Sequence, residues 1–597
     1  MTNMRNLVVA NFALITKLIS LGYVVLPSKK ANTQTSPAII LLLVSALSAC
    51  TGSSELVNTE RKDGITFCSE SNPATFNPQL DTSSTTADAS AHQVYDRLLE
   101  FDPGNGRIEP GLASSWLVSP DGLTYTFQLR KKVPFHTTEY FTPTRDFNAD
   151  DVVFSIDRWR NSSHPYHDVS GGSYPYFDSL GLQNTIKDVE RVNGYRVKIS
   201  LFKPDSSFLA NLATDFAVIL SAEYAMNLMA DGSPSNIDSL PIGTGPYKFK
   251  AYRKNQFIRF ERHDDYFLDT MGAKHLIFDI TPKSSLRFAK LITGECDAVA
   301  FPSQSDLEVI NQREDLTLMQ KPGLNVGFWA FNTSKPPFDN PKVRRALSLA
   351  IDKTSLLDAV YLGQATRAKS LVPSASWAYQ GNVPELGYNP VAARKLLDEA
   401  GVPYDFTMNI WAMPVQRAYN PNAMKMAQLM SSYLAAVGVT VNIVSYDWTR
   451  FRENLSLGIH DSVLIGWSAD NGDPDNFYRP LLTCAAIPSG TNRAMWCNPD
   501  YDALIEAALN TDDFEQRKAL YHRANQLIYE HMPLIPIAHA YQYQAVRNDV
   551  SGMVINPFGG IRFDNVVRTS QRPALPQPQP VPSSLTSPTS VDEANLP

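Results

Sequence analysis

The stretch MKMAQLMSSYLAAVGVTVNIV, positions 424–444, decides the fold class. Its first part, Met424 to Ala436, spaces apolar side chains as a helix does and is stopped by Gly438, the residue type that most easily takes the left-handed turn at a helix end. Val439 to Val444 follows at once and reads as a strand. A helix feeding directly into a strand is the repeating event of an α/β protein. Working outward, the same alternation recurs. Asn389-Pro390 and Asn340-Pro341 each open a helix, the second with Val343, Leu347 and Ile351 at helical spacing. Thr124 to Arg130 alternates polar and apolar after an Asp121-Gly122 turn, as a half-buried hairpin strand should. Asn148 caps a helix with Val152, Ile156 and Trp159 on one face and Asp151 against its positive end. Toward the C-terminus, one strand is expected around Leu534 to Ala538 and another over Val546 to Val554. The α/β pattern holds from Asp63 to about Val567 without an internal repeat.

At 597 residues the chain exceeds what one hydrophobic core can organise, so two or more lobes are expected. Hydrophobic residues make up 43% and charged residues 19%, as in ordinary globular proteins. The net charge of −7 and the lack of a Lys/Arg tract argue against a nucleic-acid partner. Residues 1–50 read as a targeting segment. Lys29-Lys30 precede the apolar run Ala38 to Leu47, which is too short to span a bilayer and ends in Leu47-Ser48-Ala49-Cys50. Those four residues resemble a lipobox, which would make Cys50 a lipidation site and membrane anchor; a simply cleaved secretory signal is the alternative. Either way the mature chain works outside the cytoplasm. Residues 571–597, rich in Pro, Gln, Ser and Thr, are expected to form a disordered tail.

Five cysteines are present. With Cys50 set aside, Cys68, Cys296, Cys484 and Cys497 form an even set in an oxidising compartment, and three pairings are open. Cys68–Cys296 with Cys484–Cys497 is favoured because the second pair closes a short loop, worth about 3 kcal/mol in the chain-entropy view. Four free thiols is the plainer alternative. No two cysteines stand at the spacing of a zinc site. The acidic cluster Asp470, Asp473, Asp475 lacks the EF-hand order and is broken by Pro474, so neither metal nor cofactor is expected. No Gly-x-Ser-x-Gly elbow, His-Glu-x-x-His or P-loop occurs, and Gly243-Thr244-Gly245-Pro246 reads as a turn without the Lys of a phosphate cradle. An enzyme is not expected.

Several stretches together resemble the family 5 extracellular solute-binding proteins. They are Gly111-Leu112-Ala113-Ser114-Ser115-Trp116 with the turn and strand that follow, Phe147 to Phe154, and Pro241 to Tyr247. Trp411 to Asn422 (WAMPVQRAYNPN) and Gly466 to Phe477 (GWSADNGDPDNF) point to the dipeptide-binding branch, with the Sap (antimicrobial-peptide sensitivity) branch as near neighbour. The four cysteines fall where that branch keeps two disulfides. The resemblance implies a two-lobed clamshell of the periplasmic binding type, with mixed sheets and a hinge of crossing strands. It implies one lobe over 63–322 plus 541–570 and the other over 323–540. Short peptides would bind between the lobes of a monomer and pass to an inner-membrane ABC permease.

The same resemblance implies the binding residues. A free peptide is a zwitterion, so its site needs an anion for the ammonium, here Asp470, and a cation for the carboxylate, here Arg417, whose planar fork suits two oxygens. Asp473 and Asp475 read as turn and cap residues. The peptide main chain would be held by strand-like pairing with Thr82-Ser83-Ser84 from one lobe and Gly466-Trp467-Ser468 from the other. Tyr419, Trp448 and Trp467 would wall the side-chain space. Two rival readings remain on the same fold. One is an antimicrobial peptide or haem as ligand; the other is a surface lipoprotein used for adhesion.

Overall fold

The computed structural model describes residues 63–571, apart from 103–105, 557 and 559. The expected targeting segment with Cys50, and the tail from residue 572, lie outside the described residues. No helix among the described residues is long and apolar enough to cross a membrane.

Local signals act where they were expected. Helix Ala149–Arg160 starts in a capping box: Asn148 accepts from the Asp150 N–H at 2.7 Å, and Asp151 accepts from the Asn148 N–H at 2.9 Å. Such a cap contributes about 1 kcal/mol. Asn340 and Asn389 cap helices Pro341–Leu349 and Pro390–Glu399. Ile351 falls beyond the first of these, yet is buried. Helix Ala423–Ala435 leads into strand Val439–Val444 through Gly438 at φ 75°.

One expectation is corrected. The structure has a single strand, Leu534–Arg547, where two separated strands were expected, and Val550–Ser551 is a short strand apart. The first half of the long strand pairs with Asn325–Phe331 and Ala365–Arg367; the second pairs with Leu316–Pro322 and Ala298–Val299. Gln542 to Gln544 imitate a loop in sequence because they are half-buried at a cavity and not sunk in a core.

Most strands join one twelve-stranded mixed sheet. Parallel pairs join Gly64–Ser69 to His275–Ile280 and Phe406–Ala412 to Val439–Val444; antiparallel pairs surround the long strand. Buried apolar side chains gather in two large clusters. One spans Ile65 to Ala300 and returns with Val546 to Val566; the other runs from Val326 to Ala540. A smaller cluster surrounds Cys68, Cys296 and Ala545. Phe67, Phe278 and Phe563 pack edge to face in the first cluster, with centroids 5.0–5.6 Å apart. Fully burying each such ring contributes about 1.5–3 kcal/mol. The chain passes between the clusters twice, at Leu316–Pro322 into Asn325–Phe331 and along Leu534–Arg547. Asn325 ties these crossings together: its amide donates to the Ala540 carbonyl at 2.9 Å and accepts from the Ala540 N–H at 3.0 Å.

Cys68 pairs with Cys296 and Cys484 with Cys497. The first joins residues 228 apart in sequence, the second residues 13 apart.

Candidate functional site

A cavity of about 230 Å³ lies between the two clusters, lined from both. All ten residues expected to bind ligand line it: Thr82, Ser83, Ser84, Arg417, Tyr419, Trp448, Gly466, Trp467, Ser468 and Asp470.

Arg417 follows strand Phe406–Ala412 in a tight turn, where the main chains of Arg417 and Asn420 exchange hydrogen bonds of 3.2 and 3.1 Å. The side chain is 5% exposed. Its Nη1 donates to Glu70 Oε1 at 2.8 Å, an ion pair to the residue that follows the first strand, Gly64–Ser69. The guanidinium lies 5.3 Å from the ring centroids of both Phe301 and Trp448. Its Nη2 is buried without a hydrogen-bond partner, and so is Glu70 Oε2. A buried polar atom left unpaired costs about 1–3 kcal/mol. Two on one ion pair mark it as incomplete.

Asp470 follows strand Ser462–Ser468. Its N–H donates to Asn476 Oδ1 at 2.9 Å, and Asn476 Nδ2 reaches its carboxylate at 3.4 Å. The half-buried carboxylate faces the cavity and not bulk water, so burial, followed by the charge of Asp215, pushes its pKa well above the usual range. Burial also lifts the Asp88 carboxyl to about 8, with Glu70 and Asp215 adding to it. Burial acts on Asp215 in the same sense, but the His92 ring 2.7 Å away, Arg97 and the Gly560 N–H together outweigh it and hold that carboxyl low.

Gly466 has no room for a side chain: a Cβ there would sit 2.3 Å from the Tyr419 ring and 2.4 Å from the Val326 carbonyl. Tyr419 thereby packs directly against the strand at Gly466, and Tyr361 Oη donates to its carbonyl at 2.7 Å. The strand carrying Gly466, Trp467 and Ser468 pairs on one side with Asn325–Phe331. On the other side, Phe406–Ala412 pairs only as far as Leu464, so residues 465–468 present an edge that no described strand covers. That is the geometry strand addition needs.

The opposite wall departs from expectation. Ser84 opens helix Ser84–Ser90 and Ser83 is its extended N-cap, so Ser84 cannot offer a strand edge. Of the three, Ser83 serves a buried Asp81 instead, Thr82 meets the arginine that pairs with Asp81, and Ser84 Oγ is buried without a hydrogen-bond partner. Ser83 and Thr86 donate to the Asp81 carboxylate, as does Arg452, whose Nη2 also reaches Thr82 Oγ1 at 3.3 Å. Burial would raise the Asp81 carboxyl; Arg452 and these hydrogen bonds hold it below the usual range.

Sequence reasoning missed Glu70, Asp88, Arg452 and Arg493. Arg452 was within reach, because it stands one helical turn from Trp448 on helix Trp448–Ser456 and lies 6.0 Å from that ring. Glu70 carries no local signal; only its place at the end of the first strand marks it. Asp473 pairs with Arg517 at 2.9 Å and accepts from the Asp475 N–H, while Asp475 pairs with Arg479 at 2.8 Å. Arg479 also reaches Asp205, from the part of the chain that forms the first cluster, at 3.2 Å, a further ion pair between the two parts beside Arg417–Glu70 and Arg452–Asp81. Among the described residues, the one group with metal-type ligands is Cys68, Asp279 and Cys296, whose sulfurs are joined to each other.

Two cores joined by continuous strands, with a charged cavity between them, are the architecture of periplasmic solute-binding proteins. The chain belongs to the bacterial extracellular solute-binding proteins, family 5, whose middle region matches residues 107–489. Such proteins bind solutes and are not enzymes. The dipeptide-binding protein of Escherichia coli K12 is 45% identical over 502 residues, covering 84% of this chain and 94% of that protein. Heme-binding protein A of Haemophilus influenzae Rd is 42% identical over 542 residues, covering 90% and 99%. The crystal structure of a dipeptide-binding protein from Pseudoalteromonas sp. SM9913 with Met-Leu superposes with a TM-score of 0.83 at 48% identity, covering 85% of this chain and 100% of that one.

Proposed function

We propose that this protein captures dipeptides outside the cytoplasm and delivers them to the membrane permease of an ABC importer. One observation carries the reading: an arginine with a free arm, Arg417, and a carboxylate without a cationic partner, Asp470, line the same cavity. A zwitterion completes both. Its carboxylate takes Arg417 Nη2 and its ammonium takes Asp470, while the uncovered edge at residues 465–468 holds the peptide main chain without reading side chains. Thr82, Ser83 and Ser84 contribute side-chain and cap contacts to the far wall. Tyr419, Trp448 and Trp467 bound the space left for ligand side chains.

The two clusters act as lobes, with boundaries near residues 322 and 541, and the crossing strands act as the hinge. Ligand held between them favours the closed form, which is the form a permease would recognise. The cavity lies below the ~300–1,000 Å³ typical of pockets for drug-sized ligands, which favours a short peptide over haem. Export and attachment through lipid at Cys50 are part of the proposal. Mass spectrometry of protein from its own host would report the lipid and any carried ligand together.

The decisive test is calorimetry with Ala-Ala on the parent and on Arg417→Ala. Losing one partner of a buried charge contact weakens binding by about 2–5 kcal/mol. Unchanged affinity would remove Arg417 from the site. Haem displacing the dipeptide at equal concentration would transfer the site to the rival ligand.

A further inference from the structure

The charges around the cavity do not balance locally. Arg417 is held by Glu70, Arg452 by Asp81, and Asp215 by His92. Arg493 also lines the cavity, and none of the ion pairs among the described residues includes it. Its Nη1 is buried without a hydrogen-bond partner. Burial, with Arg452 next, draws its pKa down to about 9, and the offsetting influence comes from the Tyr419 hydroxyl, not from a carboxylate. Guanidinium groups in such surroundings gain strongly from an anion, because solvent no longer stabilises them.

Arg493 is also held firmly. It sits in the loop closed by Cys484–Cys497. Asn492 pins that loop from inside, donating to the carbonyls of Thr483 at 3.1 Å and Trp496 at 2.8 Å. His460 Nε2 lies 2.7 Å from the Arg493 carbonyl. The guanidinium is thus presented by a stapled loop, as pre-organised recognition requires.

Its position in the cavity is set by neighbours. Arg417, Arg452 and Arg493 all act on the Tyr419 hydroxyl, opposed only by Glu70, the fixed partner of Arg417, whereas the charge that acts on Asp470 is Asp215. Among the residues lining the cavity, the arginines thus gather around Tyr419, and Arg493 is the one of the three without a carboxylate partner among the described residues. Resting on the dipeptide reading above, Arg417 takes the main-chain carboxylate, and Arg493 remains for another anion beside it.

We propose that Arg493 binds the side-chain carboxylate of a glutamate or aspartate in the second, carboxyl-terminal position of the bound dipeptide, and so biases the site toward acidic dipeptides. A carboxylate could also reach Arg493 as the terminus of a longer peptide, and the test separates the two sources.

Calorimetry of the full chain with Ala-Glu, Ala-Gln and Ala-Ala-Ala, for the parent and for Arg493→Gln, reads the proposal as a ratio. Ala-Glu is expected to bind on the order of ten-fold more tightly than its isostere Ala-Gln. That ratio should fall to near one in Arg493→Gln and be partly kept in Arg493→Lys, which retains the charge. Thermal unfolding of both variants checks that they fold, and Arg493→Lys serves should the glutamine variant fail to. Equal affinity of the parent for Ala-Glu and Ala-Gln overturns the proposal while leaving the dipeptide reading intact, as does a preference that survives Arg493→Gln. A loss at Arg493→Gln confined to Ala-Ala-Ala reassigns the residue to the terminus of longer peptides and also overturns it. Failure of the parent to bind any of the three overturns the dipeptide reading and this inference together.

Discussion

Arg158 with Asp238, and Arg417 with Glu70, are two buried arginine–carboxylate pairs that differ in how fully they are used. Arg158 and Asp238 both belong to the first half of the chain. Both terminal nitrogens of Arg158 are bonded, to Oδ1 at 2.9 Å and Oδ2 at 2.8 Å, and Asn77 and Ser170 donate to the same carboxylate. Arg417 and Glu70 come from distant parts of the chain and use one nitrogen and one oxygen, leaving Nη2 and Oε2 bare. Burial alone does not separate a structural ion pair from a working one. The place of the unused donor does: Arg158 leaves only its Nε unbonded, on a fully buried side chain, whereas Arg417 leaves a terminal nitrogen unbonded on a residue that lines the cavity, where a ligand can take it.

The comparison can be broken at its complete member. Arg158→Ala strands Asp238 without a cation and should destabilise the protein by about 3–5 kcal/mol in equilibrium unfolding. Dipeptide affinity should be nearly unchanged, and a large change would mean that the pair reaches the cavity after all. At the incomplete member the two readouts should move in opposite directions. Glu70→Gln removes the fixed anion from Arg417, lowering ligand-free stability by about 1–3 kcal/mol. It should raise dipeptide affinity several-fold in calorimetry, since the ligand carboxylate no longer shares the guanidinium. Weaker binding would make Glu70 a support for Arg417 and not its competitor.

A third effect, read only through pH, concerns Asp88, which feels both Glu70 and Arg417. Its carboxyl is raised to about 8 in the folded protein, whereas an unfolded Asp titrates near 4. The folded state therefore holds the extra proton, and this group's contribution is full below about pH 4 and lost as pH rises to about 8. Asp88→Asn mimics the protonated form and still accepts from the Ile561 N–H, which Asp88 bonds at 2.8 Å. The variant should lack this slope, so its stability relative to the parent should rise steadily between about pH 4 and about pH 8 in urea unfolding. Parallel pH profiles for the two proteins would show that Asp88 ionises normally.

What the sequence disclosed follows the range of the forces involved. The Asn148–Asp151 cap, the Gly438 stop and the proline-opened helices are contacts across three or four residues, and they were legible as such. The strand Leu534–Arg547 reads as two in the sequence because Gln542 to Gln544 line a cavity that is made with other segments. Ser84 was assigned to an extended wall although it begins a helix, since a cap and a strand edge draw on the same small polar residues. Arg417 and Asp470 were reached through family likeness. Glu70 lies 347 residues from its partner, and no pattern in the chain announces that pair. Arg493 stayed unnoticed because a lone arginine in a loop is ordinarily at the surface.

The Asn325–Ala540 contact has a topological corollary. Everything between these two residues leaves the remainder of the chain and rejoins it through groups already bonded to each other, so 214 intervening residues form a closed excursion whose mouth is one amide wide. The ends of that excursion cannot drift apart whatever happens within it. New termini cut into one of its outer loops would therefore leave both crossings intact, and a circularly permuted chain should still assemble the sheet in the same strand order.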